Sequence, residues 1–102
     1  MIQKVYWTSI ALFSLKEVNG FILSHWNNEI SHHFLDSVDS IIELLIKNPN
    51  IGSKVVNTSF RKVLINKHVA LFYEQENQNL TILLIWDNRQ DRKKLKNKLI
   101  SP

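Results

Sequence analysis

The sequence predicts an α+β domain in which a helical hairpin is packed on a small, mainly antiparallel sheet, in the order β-α-α-β-β-β-α. Three observations carry this. Up to Lys47 the apolar residues recur every three or four positions, which is the period of one helix face. A breaker of Asn48, Pro49, Asn50, Ile51 and Gly52 follows, and beyond it the period falls to two, as in strands. The links within each half are a few polar residues long, and links that short allow only hairpins. The chain has 102 residues, the length of one domain, so 1–102 is read as a single unit.

Residues 3–7 form the opening strand, with Val5 and Trp7 on one face and Lys4 and Tyr6 on the other. Thr8 or Ser9 supplies a hydroxyl to cap the first helix. Its apolar stripe is Ala11, Leu15, Val18, Ile22 and then His25 and Trp26. Gly20 weakens this helix by about 1 kcal/mol relative to alanine. Asn27 and Asn28 make the turn, and a second helix covers 29–47 with Ile30, Phe34, Val38, Ile41, Ile42 and Leu45 on its core side. Pro49 ends it, because the residue before a proline is pushed out of helical geometry. Segments 60–65, 69–74 and 80–86 then read as a three-strand meander. The last is apolar at nearly every position, as in a strand covered on both faces. Residues 89–99 close the chain as a short basic helix anchored by Leu95 and Leu99.

Composition narrows the chemistry. Hydrophobic residues make up 44% of the chain, enough for a core, and the absence of cysteine removes disulfides, thiolate nucleophiles and cysteine-based zinc sites. No glycine-rich phosphate loop is present, so no cofactor is expected. His32 and His33 point about 100° apart on a helix, and neither they nor His25 stands at a ligand-like spacing, so no metal is expected. The longest apolar runs are far shorter than the roughly 20 residues of a membrane helix, and no signal-peptide pattern opens the chain, so a cytoplasmic protein without membrane contact is expected. Residues 1–50 carry three basic and five acidic side chains, whereas 51–102 carry ten and four. A basic surface of that kind attracts phosphate or an acidic protein.

Taken in order, these elements resemble the RelE/ParE family of toxins from type II toxin–antitoxin systems. The resemblance rests on Val5, Tyr6, Trp7 and Thr8 followed by Ala11 and Leu15, on Trp26 near the helix junction, and on the second helix closing before Pro49. Its strongest parts are Phe60 to Leu64, Lys67 to Tyr73, and Ile82 to Ile85 followed by Trp86, Asp87, Asn88, Arg89, Gln90 and Asp91. It implies a basic growth-inhibiting toxin of the plasmid-stabilisation kind, silenced in a hetero-oligomer by a cognate antitoxin. RelE-like members cut messenger RNA on the ribosome; ParE-like members poison DNA gyrase. Fold alone does not choose between them.

Metal-free RNA cleavage needs a base, positive charge for the transition state and an acid for the leaving oxygen. The candidates for those roles are Arg61, Lys62, His68, Tyr73 and Arg89. Alignment with the nuclease branch puts Ala70 where that branch often carries arginine, and no Tyr or His follows Arg89. Together with the long hairpin, this favours gyrase inhibition slightly over messenger RNA cleavage, with a non-catalytic interaction module as the third reading. Target or antitoxin contacts are expected at Arg61, Lys62, Trp86, Arg89, Arg92, Lys93 and Lys96. Arg89, Arg92, Lys93 and Lys96 share one helical face at i, i+3, i+4 and i+7. Against these stand structural roles: ion pairs of Arg61 and Arg89 with Glu74, Asp87 or Asp91, and core packing for Tyr73 and Trp86.

Overall fold

A computed structural model describes residues 2–89. Strand β1 (Lys4–Trp7) leads into helices α1 (Ser9–His25) and α2 (Asn28–Lys47), and strands β2 (Ser53–Lys54), β3 (Arg61–Leu64), β4 (Val69–Glu76) and β5 (Asn79–Asp87) follow. The five strands form one sheet in the order β1-β5-β4-β3-β2. The hairpin carries the chain from one edge of the sheet to the other, and the meander returns it until β5 lies beside β1. That last pairing is parallel, and all others are antiparallel. Two helices on a five-strand mixed sheet is the expected α+β class. The expected closing helix at 89–99 lies, apart from Arg89 itself, outside the described residues.

Local chemistry accounts for the boundaries. Thr8 is the N-cap of α1, its hydroxyl oxygen accepting from the Ala11 N–H at 2.9 Å. Asn27 caps α2 in the same way, through the Ile30 N–H at 2.9 Å. One short strand, β2, was not expected, because two residues with both side chains exposed carry no periodic signal. The β4–β5 link is also tighter than residues 75–79. Both strands run on, leaving Asn77 and Gln78 as the turn. Asn77 takes a φ of 56°, a left-handed conformation that asparagine tolerates better than most residues.

The core lies between the hairpin and one face of the sheet. Phe34, Val38, Ile42 and Leu45 of α2 and Ala11 and Val18 of α1 meet Val69, Leu71, Tyr73, Leu80, Ile82 and Ile85. Ala70, Phe72, Leu84 and Trp86 form a second buried cluster on the opposite face. A bulge allows β5 to serve both. Phe72 pairs with Leu84 but Tyr73 pairs with Ile82, so Leu83 is an extra residue that reverses the alternation. This is the basis of the nearly continuous apolar run.

The helical stripe departs from expectation at two serines and at the hairpin tip. Ser14 and Ser31 take core positions, while Trp26 is 65% exposed and Ile30 is 40% exposed. The periodicity continues through these residues, but beyond Ile22 it meets an open groove instead of the sheet. Ser14 is buried for a reason of hydrogen bonding. Where β1 ends at Trp7, the Thr8 hydroxyl donates to the Leu83 carbonyl at 3.2 Å and the Ile85 N–H donates to Ser14 Oγ at 2.9 Å. Two hydroxyls thus replace the missing strand neighbour of β5.

Candidate functional site

Arg61 and Tyr73 are direct cross-strand partners on β3 and β4, and both point at the loop between α2 and β2. The Tyr73 hydroxyl donates to the Pro49 carbonyl at 2.6 Å and accepts from the Gly52 N–H at 3.0 Å. Arg61 Nη1 donates to the Gly52 carbonyl at 2.7 Å and to that of Asn50 at 3.3 Å. Burial pushes the Tyr73 hydroxyl above its ordinary pKa, so at neutral pH it is a proton donor already committed to a backbone oxygen. These two candidates therefore hold the loop that ends the hairpin. Arg61 bonds carbonyls, where an ion pair with Glu74 was one expectation; Glu74 instead accepts from the Ser59 hydroxyl at 2.8 Å.

The other candidates are dispersed. Lys62 is exposed on the opposite face of β3, level with Phe72. Trp86 is buried in the second cluster beside Ala70, Phe72 and Leu84. His68 is exposed in the β3–β4 turn, and its carbonyl accepts from the Asn88 N–H at 2.7 Å. Arg89 forks onto Asp87, with Nε on Oδ1 at 2.9 Å and Nη2 on Oδ2 at 2.6 Å. Arg92, Lys93 and Lys96 lie outside the described residues. No cluster of three metal-binding side chains occurs among the described residues, nor is any of their helices long and apolar enough to cross a membrane.

The Arg89 hydrogen bonds, more than any other cause, hold the Asp87 carboxyl below its usual pKa. The pair therefore contributes stability above the ordinary aspartate value of about 3.9, and loses it as the pH falls through the lower folded value. Urea denaturation of the wild type and Asp87→Asn between about pH 7 and pH 2 should give stabilities that converge at the acid end. A constant difference across that range would contradict this role for the pair.

His68, Asp87 and Arg89 also form part of a groove of about 860 Å³. Asn66, Lys67 and Val69 continue this side, while Val18, Phe21, Ile22, Trp26 and Ile30 of the hairpin make the apolar side, with Glu17 at its edge. The sequence alone did not single out the groove, because its walls come from segments more than 35 residues apart. The exposed Phe21 and Trp26 are its visible trace.

A family model described as the ParE toxin of the type II toxin–antitoxin system parDE matches residues 5–92. The chain belongs to this toxin family. Solved structures agree in fold. A chain of the chromosomal ParDE toxin–antitoxin system of P. aeruginosa superposes with a TM-score of 0.71 at 13% identity, covering 84% of this chain and 96% of that one. A YoeB/ParE toxin from Agrobacterium tumefaciens gives 0.60 at 13% identity, over 83% and 98%. A copper-bound mutant toxin from Helicobacter pylori gives 0.61 at 17% identity, over 87% and 97%. No curated protein sequence matches significantly. The chain is thus a toxin of the RelE/ParE type, the toxic half of a type II pair.

Proposed function

We propose that this toxin arrests growth in the cytoplasm by inhibiting DNA gyrase without cutting RNA, and that a cognate antitoxin neutralises it in a hetero-oligomer. The observation that supports this most is the state of the groups an RNA-cleaving site would need. The Tyr73 hydroxyl makes two hydrogen bonds inside the fold and Arg61 is spent on loop carbonyls; the family resemblance adds that Ala70 falls where the nuclease branch often has arginine. A general acid or base must reach the proton it moves, and Tyr73 has 0% of its surface exposed.

The second reading, ribosome-dependent cleavage of messenger RNA, draws on exposed His68 beside Lys67 in the groove. Inducing the toxin in bacteria without its antitoxin, with transcript ends mapped, separates the two. The expected result is growth arrest with intact transcripts, retained in full by His68→Ala. New transcript ends that vanish in His68→Ala would establish the nuclease instead. Unimpeded growth with folded protein present would favour the interaction module.

A further inference from the structure

Helix α1 is apolar on two sides. Ala11, Ser14 and Val18 are buried on its core side, yet away from them Ile10, Leu12, Phe13, Phe21 and Leu23 are 42–61% exposed. At those exposures the five side chains present on the order of 450 Å² of apolar surface, a patch large enough to mark an interaction face. A helix that is apolar all round is ordinarily buried all round. Gly20 lies on the same exposed face. A Cβ built on it meets nothing within 4 Å, so nothing in the chain itself requires a glycine there, and alanine would make the stronger helix. The gap calls for a neighbour from outside the chain.

We infer that this neighbour is a second copy of the chain, packed along α1 as an antiparallel two-fold pair. The exposed residues of the helix are complementary to their own reversal. In a pair centred between residues 16 and 17, positions equally far from that centre stand level across the contact, because the rise per residue is constant. Phe13 is then level with the partner's Gly20, a bulky ring against a vacant site, and the two-fold axis makes this contact twice. Lys16 is level with the partner's Glu17, so the charges nearest the axis are opposite in sign. Ile10 is level with the partner's Leu23 and Leu12 with the partner's Phe21, large apolar residues in each case, and Ser9 and the partner's Ser24 close the ends. A two-fold contact requires a surface to match itself, which a face shaped for an unrelated partner has no reason to do. The glycine lets the two backbones approach to the close end of the usual range, about 8 Å between axes. With its polar rim the patch nears the roughly 800 Å² per partner of a standard interface. The inference concerns assembly and holds whether the toxin acts on gyrase or on messenger RNA.

Analytical ultracentrifugation of the purified full chain over about 1–100 µM tests this. The wild type should pass from one chain toward two across that range, and Phe13→Glu should weaken the pair at least tenfold, on the order of a central anchor's loss. Gly20→Leu is the sharper variant. It fills the gap, so it should weaken association roughly tenfold, while the single chain melts no lower than wild type because the site is open and leucine is the better helix former. Val56→Glu and Trp26→Glu, at side chains 82% and 65% exposed but off this face, should leave association unchanged. Orientation is read separately. The chain has no cysteine, so oxidising a mixture of Ser9→Cys and Ser24→Cys chains should give the mixed disulfide in preference to either like pair, which an antiparallel pair holds roughly 22 Å apart along the helix. The inference is overturned if the wild type stays a single chain throughout, if Gly20→Leu associates as well as wild type, if Val56→Glu weakens association equally, or if like pairs form as readily as the mixed one. Binding of single chains to phosphatidylglycerol vesicles, lost in Phe13→Glu, would make this a membrane face and overturn it as well.

Discussion

Replacing Gly52 with alanine should lower the unfolding free energy by about 3 kcal/mol, at the upper end of the usual cost of overpacking. A Cβ at this position would sit 2.7 Å from the Tyr73 hydroxyl oxygen, 2.8 Å from its Cε1 and 2.9 Å from the Lys62 carbonyl oxygen. None of these can move aside cheaply. The carbonyl belongs to β3, and the Tyr73 ring is fully buried with its hydroxyl held by Pro49 and Gly52. Gly52 does not have a positive φ, so the cost is steric and owes nothing to glycine's conformational freedom. For a domain of this size the melting temperature should fall by about 10–20 °C. A melt within a degree or two of wild type would mean that the loop can lift off Tyr73 without loss.

Ser14→Ala should cost about 2 kcal/mol despite removing a single oxygen. The Ser14 hydroxyl is 3% exposed, donates to the Ala11 carbonyl at 2.8 Å and accepts the Ile85 N–H at 2.9 Å. Without it that N–H stays buried with no acceptor, next to a strand edge that β1 no longer covers. Ser37 is the control. Its hydroxyl also bonds a carbonyl of its own helix, that of His33 at 2.9 Å, but it does so in an exposed setting. Ser37→Ala should therefore change stability by less than about 0.5 kcal/mol. Urea denaturation separates the two, and hydrogen exchange at the Ile85 amide should accelerate only in Ser14→Ala. Equal effects of both substitutions would remove the special role given to Ser14.

The elements that sequence reasoning located best are those with a long apolar period. Phe34, Val38, Ile42 and Leu45 mark the buried side of α2 in the sequence and in the structure. The run from Leu80 to Trp86 announced a strand covered on both faces, and the bulge at Leu83 is how it achieves this. What periodicity could not show is what a stripe meets. Trp26 and Ile30 continue the helical pattern yet line an open groove, and Ser14 breaks the pattern yet is buried, because its value lies in a hydrogen bond to a strand 71 residues away.

The candidate site was less legible. Arginine and tyrosine on a strand look alike in sequence whether they meet a substrate or a backbone loop, and Arg61 and Tyr73 meet the loop. The predicted Arg89 pairing with Asp87 is present, since two residues of opposite charge so close in the chain find each other with little help from the fold. Charge asymmetry was legible only in part. The described residues balance, and the excess of four positive charges falls in residues 90–102.

The most direct test of the account is a supercoiling assay with purified gyrase, relaxed plasmid and the purified toxin, with no ribosomes present. The account predicts loss of supercoiling activity as toxin is added, and its restoration by the antitoxin. Full gyrase activity in the presence of folded toxin, with ribosome-bound messenger RNA cut in a parallel reaction, would contradict it.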